Sequence, residues 1–244
     1  MSIIVPLAAG LHAGYALGVN RILLLKHQIG AIARFARRRL VRSPIVILRE
    51  PAFDPETALW FRARIATCAS YLEFGGGAST LLAADAKVPT VSVESDSSFA
   101  DALRKAVPAG APVMVVVPSI GATEDWGYPL WIAPTSVRLR RWREYPACGI
   151  EMLATLPVFP ELILVDGRFR RACALHVAAA ARTRGERCEI LFDDYAGRAH
   201  YHLVEQILGP PQMIGRSALF RIDGAASNAP VELAELAAAE SDFR

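Results

Sequence analysis

The run Tyr71-Leu72-Glu73-Phe74-Gly75-Gly76-Gly77-Ala78-Ser79-Thr80 passes from a short apolar segment through three consecutive glycines into small residues. These open a helical stretch, Leu81 to Ala84. That order reads as a buried strand, a tight turn and a helix N-terminus. Glycine lets the backbone adopt positive φ and lets a ligand approach where a Cβ would clash. The first helical turn adds N–H groups without intrahelical partners. A second strand-like run, Thr90–Val93, ends in Glu94. A glycine turn beside a carboxylate at the tip of the next strand is the arrangement that grips a ribose by its two hydroxyls.

The remainder of the chain repeats the same alternation. Asp54-Pro55-Glu56 has the order of an N-cap, a first helical residue and a first-turn acid, and predicts a helix through Leu59 to Ala66. Strands are expected at Ser70–Phe74, Thr90–Val93, Pro112–Val117, Glu161–Asp166 and Cys188–Asp194. Helices are expected after Ser79, around Phe99–Ala106, over Phe169–Arg182 and near Ala199–Leu208. Gln212–Ile214 and Ala218–Ile222 read as a closing hairpin around Gly215-Arg216. Alternating strands and helices imply an α/β fold: a Rossmann-like, doubly wound, mostly parallel seven-stranded sheet. Residues 51–223 are the expected domain. Within it, 119–160 reads as an insertion or lid carrying Trp126, Tyr128, Trp131, Trp142 and Tyr145, aromatics that either cap a pocket or form a satellite core under the loop. Residues 224–244 read as a loosely docked tail.

Charge sets the N-terminal region apart. Residues 1–49 hold eight basic side chains and no acid, leaving 19 basic against 24 acidic for the remainder. The net charge of +3 therefore belongs to the extension, and the body offers no basic face for nucleic acid. Leu25, Ile29, Ile32, Ala36 and Leu40 recur at helical spacing, with Lys26, Arg34, Arg37, Arg38 and Arg42 around them. Residues 1–50 are thus expected as a basic amphipathic helical extension. Its stripe packs on the domain, or residues 21–42 lie on an anionic membrane surface. Pro6 interrupts the apolar start, which argues against a transmembrane span. Four cysteines without metal-ligand spacing fit reduced, buried thiols and a cytoplasmic location, with peripheral attachment to the inner face of the membrane as the variant.

Three nucleoside chemistries compete for the glycine turn. A P-loop requires Gly-Lys-Ser/Thr, and no Lys lies between Gly75 and Thr80. A dinucleotide turn requires a third glycine where Thr80 stands. The run Glu73-x-Gly75-x-Gly77 resembles the first motif of class I S-adenosylmethionine (SAM) methyltransferases, and the resemblance extends over residues 68–222. It implies an antiparallel last strand and SAM as cofactor. It also implies Glu73, Gly75, Gly76, Gly77, Ser79, Glu94 and Ser95 as cofactor-binding residues, with Glu94 on the ribose. Pro118-Ser119 stands where that family often places an adenine-contacting acid, a departure from its pattern. An NAD- or nucleotide-sugar-binding enzyme of the same architecture, and a non-catalytic membrane-associated module, are the alternatives.

Glu73, Glu94, Asp166, Asp193 and Asp194 all fall at carboxyl ends of strands, where open parallel sheets bind ligands. Mutual repulsion among five carboxylates has little purely structural use. The expected catalytic residues are Asp166, as base or acceptor-orienting group, then Asp194 and His200. Arg168, Arg170, Tyr195 and Trp126 are the expected substrate-binding residues. The segments Asp166-Gly167-Arg168-Phe169-Arg170 and Asp193-Asp194 resemble a bacterial branch of the class I methyltransferases. The acids Asp166, Asp193 and Asp194 are also similar to those of catechol-type O-methyltransferases that bind Mg²⁺, with Asp-Asp here where that family has Asp-Asn. The site is expected to be metal-free, with Asp166, Asp193 and Asp194 as the Mg²⁺ ligands in the alternative. The expected acceptor is a hydroxyl of a small molecule or glycan.

Overall fold

The computed structural model of the 244-residue chain describes residues 29–33, 35–36, 44–225 and 231–243. It divides into two units, residues 1–42 and 43–244. In the first, the described residues are helical. Ile29 and Ile32 of the expected stripe are exposed; Leu25, Leu40 and most of the basic residues lie outside the described set. No described helix is long and apolar enough to cross a membrane.

The second unit is built on a seven-stranded sheet of order β3-β2-β1-β4-β5-β7-β6. The strands are β1 Tyr71–Phe74, β2 Thr90–Val93, β3 Val113–Val116, β4 Leu162–Val165, β5 Arg187–Phe192, β6 Gln212–Ile214 and β7 Ser217–Asp223. β1 to β5 pair in parallel, while β7 runs antiparallel to both β5 and β6. The order reverses at β1, so the crevice beyond its carboxyl end opens between the chains leaving β1, β2 and β4.

Helices cover both faces. On one face are α1 Pro55–Ile65, α2 Ala78–Asp85 and α3 Ser97–Ala106. On the other lie α4 Ser136–Glu151, α5 Arg170–Arg184 and α7 Leu233–Glu240; α6 Glu205–Leu208 follows β5. The central strands are apolar because both their faces are covered. Leu72, Phe74, Ile163 and Val165 enter the core beneath α4 and α5, whereas Tyr71, Leu162 and Leu164 enter the core with Phe61 and Ile65 of α1. Side chains alternate across a strand, so each four-residue strand serves both cores.

Local chemistry starts the helices where the sequence places them. The Asp54 carboxylate accepts from the N–H groups of Glu56 and Thr57 and opens α1. It also accepts from the Thr57 hydroxyl at 2.6 Å and from the Arg216 N–H at 3.1 Å, which ties α1 to the β6–β7 turn. Burial raises the Asp54 carboxyl, but these hydrogen bonds outweigh it and hold the pKa at about 2.

Three expectations are corrected. The stretch 119–160 is not an insertion throughout, because α4 is the crossover helix between β3 and β4. Trp142 and Tyr145 are fully buried against Phe169, the core alternative for these two aromatics instead of the lid. The C-terminal stretch is not loosely docked. Glu240 of α7 pairs with Arg143 at 2.6 Å and with His176 at 3.0 Å, and the Phe243 ring lies 5.7 Å from Trp142. The helix expected near Ala199–Leu208 is a 3₁₀ turn, Ala199–Val204, followed by the single turn of α6.

Because Trp142 fills the core under α4, Trp142→Ala should cost about 3–5 kcal/mol of stability. Urea unfolding checks this, and a change below about 1 kcal/mol would return Trp142 to the lid.

Candidate active site

The glycine turn is held from beneath by Glu73. Its carboxylate is fully buried and accepts from the Tyr71 hydroxyl at 2.9 Å, the Ser79 hydroxyl at 2.6 Å and the Thr80 hydroxyl. Burial pushes this carboxyl above the usual range, and the surrounding hydroxyl donors oppose that rise. Thr80 in turn accepts from the Gly77 N–H at 2.9 Å. Glu73 and Ser79 therefore brace the turn and the start of α2. They are not placed to touch a ligand in the crevice, which corrects the expectation for both.

The turn itself is a close approach of two loops. Gly75 has φ +97°, and a Cβ there would lie 2.5 Å from the Gly167 nitrogen. Gly75 also donates to the Val93 carbonyl at 2.8 Å. A Cβ on Gly76 would meet Leu103 and the Ser92 hydroxyl, so this residue faces protein. A Cβ on Gly77 would meet nothing within 4 Å, so Gly77 faces open space. One glycine of the three thus borders the crevice directly.

Glu94 follows β2 beside this turn and is only 8% exposed. All its hydrogen bonds fall on Oε1, from the N–H groups of Ser95 (2.6 Å) and Asp96 (2.9 Å) and from the Ser95 hydroxyl (3.2 Å). Oε2 accepts none of them. Burial raises the Glu94 pKa to about 7, against the pull of those N–H groups. The loop between β3 and α4 reaches over this point. The Ser95 hydroxyl donates to the Gly127 carbonyl at 3.3 Å, and any Cβ on Gly127 would collide with the Ser95 hydroxyl.

The acids after β4 and β5 do converge. Asp166, Asp193 and Asp194 each offer an oxygen, all within 4.8 Å of one another. Guanidinium groups already serve them. Arg170 pairs with Asp166 at 2.8 Å, Arg198 with Asp194 at 2.7 Å, and Arg216 with Asp193 and Asp194 at 3.1 Å each. The Ser217 hydroxyl also donates to Asp193 at 2.7 Å. Asp193 is buried, whereas Asp166 and Asp194 are partly open to the crevice. Burial lifts the Asp166 carboxyl above its usual range; Arg170 opposes this, and Asp193 and Asp194 add to it. Asp194 adopts φ +56° and Phe169 φ +54°. Such left-handed residues cluster at sites that must aim a side chain.

Among the expected substrate residues, two are corrected, Arg170 and Tyr195. Arg170 is buried and its nitrogens are spent on the carbonyls of Gly167, Asp193 and Asp166. Tyr195 is a core residue whose hydroxyl donates to Glu205 at 2.7 Å. Trp126 is 87% exposed and turned to solvent. His200, on the 3₁₀ turn, lies with its ring 4.2 Å from Tyr201. Arg168 remains at the rim, stacked at 4.1 Å on Tyr128. Tyr128 and Arg216 belong to the rim but were not among the expected site residues, and the buried Tyr145 hydroxyl donates to the Val93 carbonyl at 3.2 Å beneath it. The Gly215-Arg216 turn was a visible signal; its pairing with β5 acids depends on the hairpin's three-dimensional position.

No protein-family model and no curated protein matches the sequence. Among solved structures, a methyltransferase-like protein from Silicibacter pomeroyi is 32% identical, with a TM-score of 0.65 over 79% of this chain and 97% of that one. A Podospora anserina methyltransferase, solved with S-adenosylhomocysteine (SAH), is 17% identical with a TM-score of 0.35, over 70% of this chain and 61% of that one. The strand order 3-2-1-4-5-7-6 with its antiparallel seventh strand, the glycine turn under β1 and the first of these likenesses together place this chain in the class I methyltransferase-like family.

Proposed function

We propose that the protein is a SAM-dependent methyltransferase acting on a hydroxyl of a small molecule or glycan. The observation that carries this reading is the pairing of Gly77, open to the crevice, with Glu94, whose Oε2 is unused, at the ends of adjacent strands. A ribose presents two hydroxyl donors, and a carboxylate oxygen with free lone pairs fits them. Gly77 borders the methionine part, Gly75 holds the turn against Gly167, and Ser95 fixes the Glu94 rotamer from behind. A phosphate ligand fits less well, because the Thr80 hydroxyl already takes the Gly77 N–H that an anion would want.

When bound, SAM supplies an electrophilic methyl group. The residues of this chain then have to hold and deprotonate the acceptor. Asp166 is the base in this reading: it lies at the crevice end of β4, is partly exposed, and has a carboxyl driven upward by burial. A base is most effective when its pKa approaches working pH. Asp194 is the second carboxylate facing the acceptor. Asp166, Asp193 and Asp194 are also the residues that would hold Mg²⁺, which would supply Lewis-acid activation of the hydroxyl. Their pairing with Arg170, Arg198 and Arg216 already relieves the repulsion that would call for a cation, so the metal-free site is preferred.

Calorimetric titration with SAH tests the donor half. Glu94→Ala should weaken SAH more than tenfold, since a charge-assisted hydrogen bond is worth about 1.5–3 kcal/mol. Unchanged affinity would remove the ribose assignment.

The pH dependence follows from the same carboxyl. Ribose hydroxyls need ionised Glu94, so SAH affinity should rise with pH up to about 7 and then level. Ligand-free stability should move the other way. A carboxyl raised from 4.5 to about 7 contributes stability below its unfolded pKa and loses it as pH rises through about 7. Both trends should flatten in Glu94→Gln, as read by calorimetry and thermal melts.

The two glycines should separate folding from binding. Gly75→Ala drives a Cβ into Gly167 at positive φ and should cost about 2 kcal/mol or more. Gly77→Ala should cost under about 1 kcal/mol in stability while lowering SAH affinity, because its methyl enters the crevice. Equal effects from both would mean that the open space at Gly77 takes no ligand.

Asp166→Asn should cut methyl transfer about 100-fold or more with little change in SAH affinity. The assay is radiolabelled methyl incorporation into fractionated extract. Full activity would exclude Asp166 as base.

A further inference from the structure

Arg168 is an exception to the charge pairing at the rim. Asp166, Asp193 and Asp194 are matched by Arg170, Arg198 and Arg216, three guanidinium groups for three carboxylates. Arg168 is a fourth cation at the same rim and makes no ion pair within 4 Å of any acid among the described residues. It is only 6% exposed, and its Nε and Nη1 are buried without a hydrogen-bond partner. Those two nitrogens carry three of the five N–H donors of the guanidinium. The Tyr128 ring covers one face of the group at 4.1 Å. A ring on the face attracts the charge but satisfies no N–H at the edge.

A buried cation with unmet donors is costly, and buried charges are ordinarily paired. The chain nonetheless keeps this one in the loop after β4, two residues after Asp166. Its backbone is fixed there as well: the Arg168 carbonyl accepts from the Cys173 thiol at 3.5 Å. Either bidentate edge of a guanidinium uses one of the two unpartnered nitrogens, and such an edge matches the two oxygens of a carboxylate or phosphate.

We propose that Arg168 is the seat for an oxyanion, carboxylate or phosphate, carried by the methyl acceptor. The donor takes the β1–β2 half of the crevice, at Gly77 and Glu94. Arg168 belongs to the β4 half, beside the carboxylates assigned to the acceptor hydroxyl. This assignment rests on the donor reading given above. It narrows the substrate class to hydroxylated compounds bearing an acid group, and gives Arg168 and Tyr128 the role of recognising that group. The second source of the same chemistry is the carboxylate of the donor itself, and the test separates the two.

The experiment uses the full chain as wild type, Arg168→Met and Arg168→Lys. Benzoate, phenyl phosphate and neutral benzyl alcohol are titrated into SAH-saturated protein, with calorimetric or NMR readout. Wild type should bind at least one anionic probe tenfold or more above benzyl alcohol. Arg168→Met should abolish that preference, and Arg168→Lys should reduce it, because an ammonium lacks the planar fork. Without ligand, Arg168→Met should melt about 2–4 °C above wild type, since it removes an unpaired buried charge. An equal response to anionic and neutral probes in wild type, a preference that survives in Arg168→Met, or a lowered melting temperature in that variant would each overturn the proposal.

SAH and 5′-methylthioadenosine, which lacks the amino-acid carboxylate, are titrated in parallel. Loss of SAH affinity in Arg168→Met with unchanged methylthioadenosine affinity would assign Arg168 to the donor and overturn the acceptor assignment. If SAH fails to bind wild type, the donor reading falls, while probe titration without SAH still decides whether Arg168 seats an anion.

Discussion

The buried carboxyl of Glu73 is the interaction on which the site depends. It stands on a buried strand, with Ser92 of β2 on one side and Leu164 of β4 on the other, beneath a turn that has almost no side chains of its own. A run of three glycines is conformationally loose, and Gly in a defined conformation loses more entropy on folding than any other residue. The hydroxyls of Tyr71, Ser79 and Thr80 meet at Glu73 and convert that loose segment into a fixed turn. The Thr80 hydroxyl oxygen in turn accepts from the Gly77 N–H, so the brace reaches the glycine that borders the crevice. The contact of Gly75 with Gly167 is possible only because the turn is held at that height. Through it, the β1 turn and the β4 loop that carries Asp166 and Arg168 share one wall.

This division of labour explains why the glycine motif mixes two kinds of residue. Gly75 and Gly76 have no room for a side chain because protein surrounds them, while Gly77 has room and leaves it empty. The same logic applies at Glu94. Ser95 and Asp96 spend their N–H groups on Oε1, which fixes the carboxylate while keeping Oε2 unclaimed. A fully satisfied buried carboxylate would be more stable and would have nothing left to offer a ligand.

The fold was largely legible in the sequence because its signals are local. Continuous apolar runs, Asp54 and the glycine turn mark strands, a cap and a crossover without reference to distant residues. The errors arose where a contact spans the chain. Trp142 and Tyr145 look like the aromatic content of a long loop until Phe169 and Phe243 are brought against them. Ala- and Glu-rich residues at the C-terminus look unanchored until Arg143 and His176 supply partners for Glu240. In the site, the acids at strand ends were readable from topology alone. Which of them brace, which pair and which remain open was not, since Glu73 and Glu94 differ only in what lies above them.

The cluster Asp166, Asp193 and Asp194 shows how that distinction bears on chemistry. Three carboxylates within 4.8 Å require compensation, and sequence alone allows a cation as readily as arginines. The structure provides arginines from three separate elements: Arg170 from α5, Arg198 from the turn after β5, and Arg216 from the β6–β7 hairpin. Because these guanidiniums are tethered, they set direction as well as charge. Arg170 lies beneath the rim with its donors committed to backbone carbonyls, so Asp166 is pulled from one side and left open on the other. Charge within the cluster is balanced before any ligand arrives. A further charged group at the same rim is therefore in excess of what the fold requires, and that surplus is the physical reason to assign Arg168 to recognition and Arg170 to architecture, though they stand two residues apart.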